Sequence, residues 1–174
     1  AAIHGIIQGL MPARNLYIAL LDRQSGEVSF PYFVDEERDQ PEPRKGRQGL
    51  TEYILRLGTP LLANADDIAR LHREGHIPDH QLALTSYSYL GLPLKDEAGG
   101  TMGVIVVRSY EPGEVLTPEH QNLLEFISRQ VALVLQRVRT QEALRRSEER
   151  YRLVVENAHE AVVVAQDGWL RFVN

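Results

Sequence analysis

The chain has 174 residues, of which 43% are hydrophobic and 25% charged, a composition typical of a globular protein with one full core. Its formal net charge of −5 offers no basic field for nucleic acid, and its lack of cysteine excludes disulfides, thiolate nucleophiles and thioether-linked chromophores. No run approaches the roughly 18 apolar residues of a membrane helix, and the first residues lack a basic leader. We therefore expect a cytoplasmic domain without membrane or nucleic-acid contact.

The first third of the chain predicts a helix, a hairpin and a loop. Apolar residues at helical spacing predict a helix over residues 3–11. Two β-rich runs, NLYIALLD at 15–22 and EVSFPYFVD at 27–35, flank a short glycine-containing connection and predict an antiparallel hairpin. The stretch DEERDQPEPRKGRQG at 35–49 mixes charges with prolines and glycines, so we expect a solvated loop.

The middle of the chain alternates short helical and extended patterns. We predict helices over residues 50–58 and 66–73, and strands over 60–63, 88–94 and 101–110. The β-branched run from Val104 to Val107 is typical of a central strand that is buried on both faces.

A long helix is predicted from Thr117 and Pro118, which supply an N-cap hydroxyl and a first-turn proline. Its apolar residues recur at the 3, 4, 3, 4 spacing of a coiled-coil seam. These predicted dimer-interface residues are Leu124, Ile127, Val131, Val134 and Val138. Because neighbouring apolar residues widen the stripe, we expect it to pack both on its own sheet and on a partner helix.

This order of elements resembles the GAF domain. The resemblance implies an α+β, GAF-like fold, with a central mainly antiparallel sheet, helices on both sides and a long C-terminal helix. It is carried by NLYIALLD, GLTEYILRLGTPLLANADD, SYLGLPLKDEAGGTMGVIVVRS and LTPEHQNLLEFISRQVALVL. We place the GAF-like sensor domain at residues 1–138 and a charged helical linker at 139–152.

The last residues, EERYRLVVENAHEAVVVAQDGWLRFVN, resemble the start of a PAS domain, which we place at 153–174 as a truncated N-terminal part. Asp167 and Gly168 stand between alternating apolar residues, which is a strong hairpin signal. An isolated two-stranded hairpin is marginal in water, so we expect disorder or pairing with another chain.

In GAF domains small ligands lie between one sheet face and the helix-loop region that interrupts the sheet. The resemblance therefore implies a ligand site among the aromatic residues of that region. The candidates are Tyr17, Phe33, Tyr53, Tyr87 and Tyr89. Such rings offer apolar area and orienting hydroxyls, although simple core filling is an equally good interpretation of each. The residues do not identify a cofactor.

Catalysis within these residues is not expected. GAF-type methionine sulfoxide reductases and bilin-attaching GAF domains use cysteine, and the NKFDE pattern associated with cyclic-nucleotide binding is absent. His72, His76 and His80 recur at intervals of four and leave a metal or haem sensor as an alternative. Gly75 and Pro78 interrupt the helix that such a site would need.

These features predict a sensory and dimerisation module of a bacterial signal-transduction protein, with a histidine kinase or a GGDEF-type diguanylate cyclase as its output. We expect a homodimer formed through the N- and C-terminal helices, with small-molecule or partner input relayed by the C-terminal helix. A purely structural dimerisation domain without a ligand is the other interpretation.

Overall fold

The computed structural model describes residues 2–45, 48–77, 86–156, 163–166 and 169–173. The chain divides into two units, Ala1–Leu133 and Val134–Asn174. In the described ranges, the elements are α1 (Ala2–Gln8), β1 (Asn15–Leu21), β2 (Val28–Val34), α2 (Leu50–Leu57), β3 (Leu61–Asn64), α3 (Ala65–Arg73), β4 (Ser88–Lys95), β5 (Thr101–Ser109), α4 (Pro118–Glu156), β6 (Val163–Gln166) and β7 (Trp169–Val173). None of the helices in these ranges has the length and apolarity needed to cross a bilayer.

The first unit contains a five-stranded antiparallel sheet in the order β2-β1-β5-β4-β3. β5 lies in the middle, and its residues Val104 to Val107 are fully buried, as the β-branched run predicts. The predicted hairpin is confirmed by the antiparallel pairing of β1 with β2. The α+β architecture expected from the sequence is confirmed as well.

Helices cover both faces of this sheet. Side chains alternate between the two faces along each strand. On one face, Tyr17, Tyr89 and Val106 join a buried cluster with residues of α2 and α3. On the other face, Tyr32 meets His4 of α1 through a 2.8 Å hydrogen bond, and Ser88 accepts a 2.9 Å bond from the Leu116 amide just before α4. The first face holds the cavity described below.

Local signals set the helix ends. Gly58 ends α2 at φ 65°, a left-handed conformation that glycine adopts without steric cost. At α3, Asn64 accepts from the Asp67 amide at 2.9 Å, and the Asp67 carboxylate accepts from the Asn64 amide at 3.2 Å. At α4, Thr117 Oγ1 accepts from the His120 amide at 3.4 Å. The predicted start of α4 at Pro118 is confirmed.

The segment after β2 is irregular in its described residues 35–45 and 48–49, as predicted, but it is not simply solvated. The Asp35 side chain is 0% exposed because it pairs with Arg108 of β5. Arg44 and Val28 exchange two backbone hydrogen bonds of 2.8 and 3.0 Å, so the segment runs along the free edge of β2. The sequence alone predicted that the charged side chains of this segment face solvent, because it does not show which distant residues pair with them.

In the second unit, β6 and β7 pair as an antiparallel hairpin, as their alternating pattern predicts. The Asp167 and Gly168 turn lies outside the described residues. Leu144 and Tyr151 of α4 are 60% and 71% exposed, which agrees with a helix that lacks its own core. The PAS resemblance of this region stays a prediction.

Candidate functional site

A cavity of about 210 Å³ lies on the sheet face that α2 and α3 cover. Strands β1, β2, β4 and β5, helices α2 and α3 and the segment after β2 all contribute to its wall. The described lining residues are Tyr17, Phe30, Phe33, Arg38, Asp39, Pro41, Arg44, Leu50, Thr51, Ile68, Ser86, Tyr89 and Arg108. The cavity combines aromatic rings with guanidinium groups.

Three hydroxyl groups of the lining residues meet. Tyr17 Oη lies 2.9 Å from Thr51 Oγ1 and 3.3 Å from Tyr89 Oη. Tyr89 is 1% exposed, and burial raises the pKa of its hydroxyl well above the usual value. The Tyr89 hydroxyl therefore stays protonated and acts as a neutral hydrogen-bonding group.

Arg108 is held in place by an ion pair and by aromatic rings. Its Nε donates to Asp35 Oδ2 at 2.6 Å, and its Nη2 contacts the same oxygen. The guanidinium carbon lies 5.3 Å from the ring centroid of Tyr17 and 5.9 Å from that of Phe33, within the range of cation–π attraction. Burial acts to lower the pKa of Arg108, but Tyr17, Tyr110 and Asp35 outweigh burial and raise it. The group remains a cation.

Arg44 is held in a similar way. Its Nε donates to Glu52 Oε1 at 2.9 Å, and its guanidinium carbon lies 4.7 Å from the centroid of the Phe30 ring. Glu52 is fixed in turn, because its Oε2 accepts from the Gly49 amide at 3.1 Å. Each of these two arginines therefore has a carboxylate on one side and an aromatic ring beneath it.

The structure brings together three of the five predicted ligand-site residues. Tyr17, Phe33 and Tyr89 line the cavity. Tyr53 is not among the described lining residues, because its ring packs against His76, with 5.2 Å between centroids. Tyr87 precedes β4 and is 53% exposed. Helical periodicity placed Tyr53 on the apolar face of α2, but its ring contacts the end of the α3 region.

Sequence reasoning missed the arginines. Arg108 directly follows the buried run Val104 to Val107, and a charged residue at that position of a central strand needs a buried partner. That was a usable signal. Arg38 and Arg44 stand in a stretch of mixed charge where nothing in the pattern separates an inward side chain from a solvated one.

The histidine alternative gains no support from the described residues. His72 Nδ1 lies 2.9 Å from the Ile77 carbonyl oxygen, and His76 Nε2 lies 3.6 Å from a Glu74 carboxylate oxygen. His80 lies outside the described part of the chain. Within that part, no three His, Cys, Asp or Glu residues are grouped to hold a metal.

The predicted dimer-interface residues differ in how far they are buried within their own chain. Leu124 is fully buried and Val131 is 5% exposed, so these two side chains pack within their own chain. Ile127 is half-buried. Val134 and Val138 are 59% and 44% exposed and leave apolar surface open for a partner helix. Dimerisation itself stays a prediction.

The antiparallel sheet with helices on both faces, a long final helix and a cavity on one face defines a GAF-type fold. The chain belongs to the GAF domain family, whose GAF_2 description matches residues 1–136. No curated protein matches the chain.

Solved structures agree on the fold. The GAF domain of a phosphoenolpyruvate-protein phosphotransferase from Acinetobacter is similar with a TM-score of 0.62 at 16% identity, covering 81% of this chain and 82% of that one. The corresponding domain from Coxiella burnetii has a TM-score of 0.63 at 17% identity, with the same coverage. The GAF domain of a two-component sensor histidine kinase from Bacillus halodurans has a TM-score of 0.61 at 13% identity, covering 79% and 91%. Related GAF domains thus occur in sensor kinases and other signalling proteins.

Proposed function

We propose that this chain is a cytoplasmic sensory module of a bacterial signalling protein, which binds a small molecule in its cavity and relays binding to a following domain through α4. One relationship between β4 and β5 carries the proposal. Tyr89 and Arg108 are cross-strand partners that line the cavity, and the next pair along the same ladder is Ser88 and Ser109.

The second pair faces away from the cavity and holds the segment that enters α4. Ser88 Oγ accepts from the Leu116 amide at 2.9 Å. Ser109 Oγ accepts from the Glu111 amide at 3.1 Å and donates to Glu114 Oε2 at 3.2 Å. In this proposal, a displacement of the cavity pair moves these two serines and with them the segment that leads into α4.

A relay also requires that the ligand bind two states of the domain with different affinity, since equal affinity shifts nothing. The ladder supplies the physical connection, and the ligand supplies the bias. In this proposal the residues of this chain bind and transmit but catalyse no reaction. By analogy of architecture alone, we expect the output to be a histidine kinase or a diguanylate cyclase.

The first test asks whether the chain retains a ligand. Freshly purified protein is measured by native mass spectrometry and again after denaturation and refolding. We expect an added mass that denaturation removes. A clean mass in both samples, together with no binding from a library of bacterial metabolites, would contradict the proposal.

The second test asks whether the ladder is the route. Hydrogen exchange at the amides of residues 110–121 is compared between the ligand-bound and the ligand-free protein. The comparison is made in the wild type and in Ser88→Ala. We expect bound ligand to slow exchange there in the wild type and to have much less effect in Ser88→Ala. Ser128→Ala is the matched control, because that buried hydroxyl donates to the Glu125 carbonyl within its own helix.

A second candidate function, a ligand-free dimerisation domain, is favoured by the exposed apolar side chains of α1 and α4. Ile6 of α1 and Leu10, just after the end of α1, are 63% and 54% exposed, and Phe126 and Leu133 of α4 are 62% and 54% exposed. Surface of this kind is typical of an interface. A clean native mass in a stable dimer would favour this candidate over the first.

A further inference from the structure

We propose that the ligand of this cavity is a small aromatic carboxylate, which places its ring among Tyr17, Phe30 and Phe33 and its carboxylate on the guanidinium groups of Arg44 and Arg108. This inference rests on the proposed function and narrows it to one chemical class.

The volume fits a single substituted ring. A cavity of about 150 Å³ in a protein core accepts benzene. The cavity here measures about 210 Å³, which leaves room for one polar substituent on such a ring. A purine nucleotide or a tetrapyrrole is much larger than this space.

The apolar part of the wall is aromatic. The Tyr17 and Phe33 rings stack with 5.4 Å between centroids, and the Phe30 ring lies 6.0 Å from Tyr17 and 6.3 Å from Phe33. Rings of this kind prefer offset-stacked or edge-to-face contacts, which a flat ligand provides.

The polar part of the wall is made of oriented donors. Among the described residues, Nη1 of Arg108 and both Nη atoms of Arg44 donate to no protein group. Their carboxylate partners are buried, with Asp35 0% and Glu52 13% exposed, and neither is among the described lining residues of this cavity. The guanidinium groups are thus fixed before a ligand arrives.

The N–H groups that the lining arginines do not use on Asp35 and Glu52 favour an anion, although those two carboxylates balance the charge of Arg108 and Arg44. The described lining contains three arginines and one acidic residue, Asp39. A planar carboxylate matches the fork of a guanidinium, and hydrogen bonds between ionised groups are about twice as strong as neutral ones. A neutral ligand of the same shape would not form these charge-assisted hydrogen bonds with the guanidinium groups.

The test uses benzoate, with benzamide as its neutral counterpart of the same shape, on the intact chain by isothermal titration calorimetry. We expect benzoate to bind about 10-fold more tightly than benzamide, which is the ratio that one charge-assisted hydrogen bond provides. Equal affinity for benzoate and benzamide would overturn the ligand class. Tighter binding of phenyl phosphate than of benzoate would overturn the carboxylate.

Two variants locate the binding. Arg44→Lys and Arg108→Lys keep the positive charge but remove the planar fork, so each should weaken benzoate about 10-fold and leave benzamide almost unchanged. Arg23→Lys is the control, because Arg23 also pairs with a carboxylate, that of Asp96 at 2.8 Å, but lies outside the described lining. Circular dichroism checks that each variant is folded, and Arg44→Lys decides the question if Arg108→Lys unfolds.

The outcomes separate this inference from the proposed function. If benzoate fails while native mass spectrometry shows a retained ligand of another class, only the carboxylate inference is wrong. If no ligand of any class binds, the proposed function is wrong as well.

Discussion

Asp35 and Arg108 form an ion pair whose side chains are 0% and 6% exposed, at the junction of β2, β5 and the wall of the cavity. Asp35→Asn would remove the negative charge of the pair and leave the Arg108 guanidinium buried without a carboxylate partner. Because an unpaired buried charge is expensive, we expect the free energy of unfolding to fall by about 3 to 5 kcal/mol. Urea denaturation measures this change.

The matched control for that pair lies on α4. Glu125 and Arg129 are joined at 3.1 Å, but their side chains are 40% and 71% exposed. Glu125→Gln should therefore cost no more than about 0.5 kcal/mol. If both variants lost a similar free energy of unfolding, the buried pair would contribute no more to stability than the exposed one.

Gly91 and Ile54 predict a second effect on stability. A Cβ added at Gly91 would overlap Ile54 Cδ1, which belongs to a fully buried side chain of α2. Gly91→Ala should destabilise the fold by about 1 to 3 kcal/mol through overpacking.

The contact between Gly91 and Ile54 can be isolated by a double-mutant cycle. Ile54→Val removes only the Cδ1 methyl and costs about 0.5 to 1.5 kcal/mol alone. The double variant should be more stable than the sum of the two single changes predicts. Gly113→Ala, with nothing within 4 Å of the added Cβ, is the neutral control. If the stability losses of the two single variants simply added, the cost of Gly91→Ala would not come from its contact with Ile54.

Tyr110 predicts a loss of stability in alkaline solution. Its hydroxyl donates to Asp35 Oδ1 at 3.1 Å, and burial, together with the nearby Asp35 carboxylate and against the pull of Arg108, raises the Tyr110 pKa from 10.0 to about 12. A pKa raised in the folded state stabilises the fold below pH 10.0, and this contribution disappears as the pH rises to about 12.

Denaturation across this pH range tests the assignment. Tyr110→Phe should make the decline shallower, while Tyr151→Phe should not, because Tyr151 is 71% exposed. An ultraviolet titration of tyrosinate should lose one late-titrating tyrosine in Tyr110→Phe, while Tyr89, whose pKa burial also raises, still titrates late. A tyrosine that titrates normally at position 110 would contradict the prediction.

The exposure pattern of α4 predicts that some substitutions abolish dimerisation without unfolding the domain. Val134→Lys and Val138→Lys change exposed positions and should convert a dimer to a monomer in sedimentation while changing stability by about 0.5 kcal/mol or less. Val131→Lys should unfold the domain instead, because Val131 is 5% exposed. A wild-type chain that sediments as a monomer would refute the dimer.

Most of the fold could be predicted from local signals. The hairpin of β1 and β2, the bounds of α2, the central position of β5 and the start of α4 follow from periodicity, from Gly58 and from Thr117 with Pro118. These signals depend on short-range backbone preferences, which a sequence shows directly.

The site could be predicted only in part. The resemblance to GAF domains implied a ligand site among the aromatic residues of one region, and three of these residues, Tyr17, Phe33 and Tyr89, line the cavity. Arg44 and Asp35 were missed because their partners, Glu52 and Arg108, are 8 and 73 residues away in the sequence. Long-range charge pairing depends on the register of the sheet, which composition and periodicity do not reveal.

The segment after β2 also bears on the solubility of the chain. β2 is an edge strand, and such edges invite other chains to add a strand. Here Arg44 satisfies both backbone groups of Val28, and the side-chain amide of Gln40 donates to the Phe30 carbonyl at 2.8 Å. Shortening this segment would leave the edge of β2 open, and the expected result is aggregation through strand addition.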